Sequence, residues 1–263
     1  KRGDKYYMIY AANMPEDLAY ATSSSPTGPW TYGGTVMKTD GTESFTNHPG
    51  IVDFQGKSYL FYHTGKLSGG GGFTRSVAVE EFSYNKDGSI PLINWTENGP
   101  NAIAALNPYA RNEAETIAWT EIKWDGGKRI KKGVQTESHM EGEDRGVHVS
   151  NIHNGNSVKV KNVDFGTEGA AAFTARAACA QEIFGSTAGG SIELWIDADN
   201  AENKKKIGDL TIGYSGGEFV DFSTNITEEI TGIHDLTFLF KGQEGFELFT
   251  FDSWQFIPKS ETV

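Results

Sequence analysis

Asn47 and His48 stand directly ahead of an apolar run, Gly50-Ile51-Val52-Asp53-Phe54. An imidazole at the mouth of a strand can ligate a metal or touch a substrate, although it can equally be a loop histidine that caps the strand. Arg75 follows the run Gly69-Gly70-Gly71-Gly72. There its forked donors could pin a carboxylate or sugar hydroxyls at a cleft rim. Glu113 and Glu115 have the i, i+2 spacing that sets two carboxylates on one side of a strand. Such a pair repels unless a cation lies between, and oxygen ligands suit calcium. Asp252 becomes a third ligand if the first and last strands of that region pair. Trp119, Trp124, Trp195, Tyr214, Phe219 and Trp254 offer ring faces on which sugars can stack. Alternation along a strand puts Trp195 with Glu193 and Asp197, opposite Ile192, Leu194 and Ile196. Trp195 is therefore expected to be exposed, and Trp254 is expected in the core.

Other groups look chemical and read better as structure. Glu80 and Glu81 are adjacent, so on a strand they point to opposite faces and cannot share one substrate bond. A solvated strand end is expected. The segment DADNAEN, from Asp197 to Asn203, resembles half of a calcium loop but lacks its spaced glycine and closing glutamate; it reads as a turn. Cys179 is the single cysteine, which excludes an internal disulfide and a cysteine metal cluster. Its run, FTARAAC, suits a small buried hydrophobe better than a nucleophile.

The elements that must position these residues are strands. A Gln55-Gly56 turn separates Gly50–Phe54 from the aromatic run Ser58–His63, which is a hairpin signal. KYYMIY at Lys5 echoes KSYLFY at Lys57, 52 positions on. Each is followed by a second strand, Leu18–Ser23 or Arg75–Phe82. A turn and a third short strand come next, after Gly28-Pro29-Trp30 in one unit and Asn85-Lys86-Asp87-Gly88 in the other. About four strands per ~50 residues is the pattern of a propeller blade. Near Leu92–Leu106 the texture becomes polar and turn-rich, which marks a boundary. Beyond it come short alternating runs: Ser157–Val163, Ala171–Ala177, Ser191–Ile196, Lys206–Ile212, His234–Phe240 and Leu248–Phe256. These read as an antiparallel β-sandwich. Helix signals are nearly absent, so the expected class is all-β.

Composition narrows the partners. Hydrophobic residues at 37% allow a packed core, and a net charge of −12 disfavours nucleic acid and anionic membranes. No apolar run approaches the ~20 residues of a membrane span. The chain opens on Lys1, almost inside a strand, and reads as a piece of a longer protein whose earlier part would carry any export signal.

Two family resemblances follow. KRGDKYYMIYA, ATSSSPTGPW, TNHPGIVDFQGKSYLFYH and TRSVAVEEFSYNKDGSI make residues 1–100 similar to the last blades of a glycoside hydrolase family 43 domain, a five-bladed β-propeller. NPYARNEAET, GVQTE, IHNGNSVKVKNVDFG, FTARAA, ITGIHDLTFLF and LFTFDSWQF make residues 107–258 resemble carbohydrate-binding module family 6, a jelly-roll β-sandwich. Residues 101–106 would be a linker and 259–263 a tail.

The first resemblance implies an inverting α-L-arabinofuranosidase or β-xylosidase acting on arabinoxylan or xylan. Its catalytic acid and base lie upstream of Lys1, so no catalytic residue is expected in this chain, and the fragment alone is expected to be inactive. The remainder of the propeller is thus an implied partner. The resemblance makes His48 the axial histidine, with a possible cation at the propeller axis, and Arg75 a cleft arginine. The second resemblance implies a structural calcium on Glu113, Glu115 and Asp252. It also implies a loop cleft where the family's stacking and hydrogen-bonding positions fall on Asn151, Phe219 and Thr250. Asn151 cannot stack and Thr250 reaches less far, so binding could rest on a concave sheet face or on Trp195. Plant cell-wall polysaccharide and an extracellular or periplasmic location complete the expectation. The alternative is a sandwich that only buttresses the propeller.

Overall fold

The computed structural model describes residues 1–259 apart from 68, 122–123, 126–127, 130–132, 142–143 and 181–187; for 124–125, 128–129, 141, 144 and 188 it describes the backbone alone. The described chain forms strands and turns, and falls into two units, Lys1–Asn101 and Ala102–Val263.

In the first unit, β1 (Tyr6–Ala12), β2 (Asp17–Ser23) and β3 (Thr31–Met37) form one antiparallel meander. A second comprises β4 (Gly50–Phe54), β5 (Lys57–Thr64) and β6 (Ser76–Phe82). Gln55 and Gly56 both take positive φ (49° and 79°), the tight turn whose twist matches the β4–β5 pair. Leu18, Tyr20, Val36 and Met37 of the first sheet share a core with Leu60, Tyr62 and Phe82 of the second.

The sequence echo holds in the fold: KYYMIY forms β1 and KSYLFY forms β5, and each pairs antiparallel with the strand that follows it, β2 or β6. Among the described residues each sheet holds three strands rather than the expected four. Among the described residues, no strand forms between the Asn85–Gly88 turn and Asn112. Pro91 lacks the N–H that a ladder needs, and the segment packs without pairing. Ile90 and Ile93 are buried, and Ile93 donates its N–H to the Val36 carbonyl at 2.7 Å.

Glu80 is buried, contrary to a solvated strand end. It accepts from the Tyr62 hydroxyl (3.0 Å), the Thr96 N–H (2.6 Å) and the Thr96 hydroxyl (2.9 Å), clamping the connecting segment to β6. Glu81 does face the other way and pairs with Lys57 at 2.8 Å. Glu80→Ala orphans these donors and is expected to destabilise this unit by about 2 kcal/mol in urea unfolding. A change within about 0.5 kcal/mol would mean the clamp is incidental.

The second unit opens with β7 (Asn112–Glu113), β8 (Trp119–Glu121) and a backbone hairpin of β9 (Trp124–Asp125) and β10 (Lys128–Arg129). There follow β11 (Gln135–Glu141), β12 (Asp144–Ser150), β13 (Ser157–Asp164), β14 (Ala170–Ala178) and β15 (Ala188–Ile196). The last strands are β16 (Lys205–Gly213), β17 (Val220–Asn225), β18 (Ile233–Lys241) and β19 (Thr250–Pro258). One sheet has the order β11-β12-β19-β14-β17, with β7 added on β19; the other runs β16-β15-β18-β13-β8. Their inner faces meet in an apolar core in which Phe173, Phe251, Trp254 and Phe256 oppose Val158, Ile192, Leu194, Phe238 and Phe240. Trp254 is fully buried, as expected, on the same face as Phe251 because a β-bulge at Asp252 shifts the alternation between them. Leu106 already belongs here: it receives the Asp164 N–H (3.0 Å) and donates to Asn162 (2.7 Å). Residues 197–204 are a turn and Cys179 is buried.

Candidate functional sites

At the mouth of the β4–β5 hairpin, Asn47 is fully buried and His48 exposed. Asn47 donates its backbone N–H to Glu16 (2.6 Å), and its side-chain oxygen accepts the His63 N–H (2.8 Å). This fixes the loop, so that the His48 and His63 rings lie 5.1 Å apart. Burial, then Arg75 and His48, push the His63 imidazole below its usual range, which favours its neutral form. Arg75 is exposed and donates to the Thr46 hydroxyl (3.2 Å). The three residues expected here thus share one network, joined by Glu16 and His63, which sequence reasoning missed. Glu16 acts across 31 positions from a turn with no motif of its own.

In the sandwich, β12 ends at Ser150, β19 starts at Thr250, β14 ends at Ala178 and β17 starts at Val220. Antiparallel pairing therefore gathers Asn151, Thr250 and Phe219 at one end of one sheet. Among the described residues, each of the three has partners within the unit. Phe219 packs on His139 and His148, with centroids at 4.6 and 5.4 Å. The two imidazole Nδ1 atoms are 3.1 Å apart, and burial followed by the His139 charge holds His148 below the usual range. Asn151 donates its side-chain N–H to the Gly133 carbonyl (2.7 Å), and the Thr250 hydroxyl donates to the Ala178 carbonyl (3.3 Å).

β7 pairs with β19, and the Ser253–Glu113 register brings the expected acidic residues to one edge. Only Asn112 and Glu113 are in strand conformation; Glu115 sits in the following turn, so the two glutamates do not share a strand face. Asp252 is the extra residue of a β-bulge against Arg176–Ala177, which turns its carboxylate away from the core. Arg111 spans Glu113 (3.0 Å) and Asp252 (3.1 Å), and Arg176 approaches Asp252 at 3.7 Å. Among the described residues no three acidic or histidine side chains are grouped closely enough to hold a metal as placed. The donor chemistry nonetheless fits a hard cation. Glu115 Oε2 is buried with no hydrogen-bond partner, and burial, Glu113 and Asp252 raise its carboxyl above the ordinary range.

The outer face of the other sheet carries Trp195. It is half-buried rather than exposed, because its indole N–H donates to Glu193 (3.0 Å), which Lys206 also holds at 2.9 Å. Strand register sets Trp195 opposite Thr237, Thr237 opposite Lys159, and Lys159 opposite Trp119. The two indoles thus end one row across four strands, about 14 Å apart at ~4.8 Å per strand. Trp119 is also half-buried. Tyr214 is exposed, and the Trp124 side chain lies outside the described residues.

Comparison with known proteins matches this architecture. The family model for glycosyl hydrolases family 43 matches residues 1–90, and that for carbohydrate binding module (family 6) matches residues 128–258. An arabinoxylan arabinofuranohydrolase of Bacillus subtilis (strain 168) is 33% identical over 277 residues, covering 98% of this chain and 50% of its own length. One from Paenibacillus polymyxa is 31% identical over 280 residues, with 99% and 41% covered. A crystal structure of a family 43 arabinoxylan arabinofuranohydrolase from Bacillus subtilis, in complex with cellotetraose, superposes with a TM-score of 0.73 at 33% identity; it covers 98% of this chain and 53% of that one. The chain spans about half the length of these relatives. Residues 1–90 are a segment of a family 43 glycosyl hydrolase, and the sandwich containing residues 128–258 is a carbohydrate-binding module of family 6.

Proposed function

We infer that this chain is part of an exported arabinoxylan- or xylan-degrading hydrolase, of α-L-arabinofuranosidase or β-xylosidase type and inverting. Its sandwich holds the enzyme on the polysaccharide, which raises the effective substrate concentration. The observation that carries the binding role is that strand register sets two half-buried indoles, Trp119 and Trp195, at the ends of one row on one sheet face, with buried Thr237 and the Asp199-paired Lys159 between them. The loop end is not the platform in this reading, because Phe219 is packed on two histidines and Asn151 has no ring. Those same features favour a second reading, a sandwich that only buttresses the hydrolase.

His48 and Arg75 would line the cleft of the complete propeller, with Asn47 fixing the loop beneath them. The outer face of the second sheet exposes Val52, Phe54, Phe61 and Val77, an apolar surface suited to packing against the rest of the propeller. The test is hydrolysis. The full-length protein should release pentose from arabinoxylan or xylan and this chain alone should not; release by this chain alone would contradict the reading.

Calcium would be held by Glu115, Glu113 and Asp252, taking over the span that Arg111 now bridges. Bound only by the native state, it raises stability by about 2.7 kcal/mol at a hundredfold excess over its Kd. Adding a chelator should therefore lower the sandwich's Tm, and an unchanged Tm would remove calcium from the account.

A further inference from the structure

Phe73 stands 85% exposed at the end of the Gly69–Gly72 run, and nothing in the proposed chemistry uses it. Its neighbours are tied down. Thr74 donates its hydroxyl to the Gly69 carbonyl (3.0 Å), and Gly71 donates its N–H to the Thr74 carbonyl (3.1 Å). The Gly72 carbonyl accepts the Thr46 hydroxyl (2.7 Å). A Cβ on Gly72 would meet the Phe45 ring at 2.0 Å, so only glycine lets the loop lie on that ring. Phe45 in turn holds the Phe73 ring edge-to-face, with centroids at 4.9 Å and planes at 86°. The loop thus holds one aromatic ring clear of the unit's own core.

We propose that Phe73 is a stacking platform for a pyranose ring of the polysaccharide chain, and so a substrate-positioning residue for polymeric substrate. The inference rests on the hydrolase reading above. The polar groups beside the ring decide its ligand class. Thr46 links the Gly72 carbonyl to the Arg75 guanidinium, so an apolar ring face and a forked donor lie on adjacent parts of one network. A sugar ring offers C–H groups to the first and hydroxyls to the second. A single ring with one apolar neighbour is a small patch for a protein partner.

The experiment compares the KM for arabinoxylan with the KM for a small aryl arabinofuranoside or xyloside, using the full-length protein. Phe73→Ala should raise the polymer-to-aryl KM ratio about fivefold, since one aromatic contact contributes ~1 kcal/mol. Phe73→Tyr, which keeps the ring, should bring the ratio back to within about twofold of the unmodified protein. Because Phe73 is outside the core, Phe73→Ala removes only its contact with Phe45 and leaves the core packing intact. An unchanged ratio for Phe73→Ala, in a protein that cleaves both substrates, overturns this inference and leaves the hydrolase reading standing. If the unmodified protein cleaves neither, the hydrolase reading falls and this inference with it.

Discussion

Asp252→Ala is expected to lower the unfolding free energy of the sandwich by about 3 kcal/mol, read from urea denaturation. The carboxylate is 3% exposed and is approached by Arg111, Arg176 and His139, and the Ser253 hydroxyl donates to it at 3.0 Å. Arg111 is half exposed, so its pair is screened and contributes little. Arg176 is only 27% exposed and loses one acidic neighbour. Asp252→Asn keeps the shape and one acceptor oxygen while removing the charge, and is expected to lose about half as much. If alanine costs less than about 1 kcal/mol, the bulged carboxylate does not organise this edge.

Trp195→Ala is expected to weaken xylan binding by about tenfold, and Trp119→Ala with it should abolish measurable retention. Phe219→Ala should change affinity by less than about twofold, because its ring already packs on His139 and His148. Circular dichroism of each variant reports whether the sandwich is intact. The effect should also follow pH. Burial pushes the Glu193 carboxyl up, but the Lys206 and Trp195 hydrogen bonds outweigh it and hold it below the ordinary value. A depressed carboxyl contributes stability above its unfolded pKa and loses it as pH falls through the lowered one. Orientation of Trp195 by Glu193 is therefore complete at neutral pH and fades only in acid. Equal losses for Phe219→Ala and Trp195→Ala would move the binding site to the loop end.

Much of this molecule was legible from periodicity. The runs at Ser157, Ala171, Ser191, Lys206, His234 and Leu248 each became a long strand, because one buried face forces strict alternation. β11, β12 and β17 escaped notice since their outward positions are polar or exposed and their inward ones few. The blade echo was legible as sequence and as topology, since the matching phrases became β1 and β5 and each pairs with the next strand in the chain. Site residues divided along the same line. His48, Arg75 and Asp252 could be named from motifs, whereas Glu16, His63 and Arg176 act through contacts that only the fold creates. Trp119 could not be joined to Trp195 without the register of the two strands between them.

If the sandwich grips xylan through its sheet face, as inferred above, affinity electrophoresis of the whole chain in gels containing xylan or arabinoxylan should reveal it. Retarded migration, relieved by Trp195→Ala, is the predicted result. Unretarded migration in every gel would contradict the claim and leave the sandwich as a buttress.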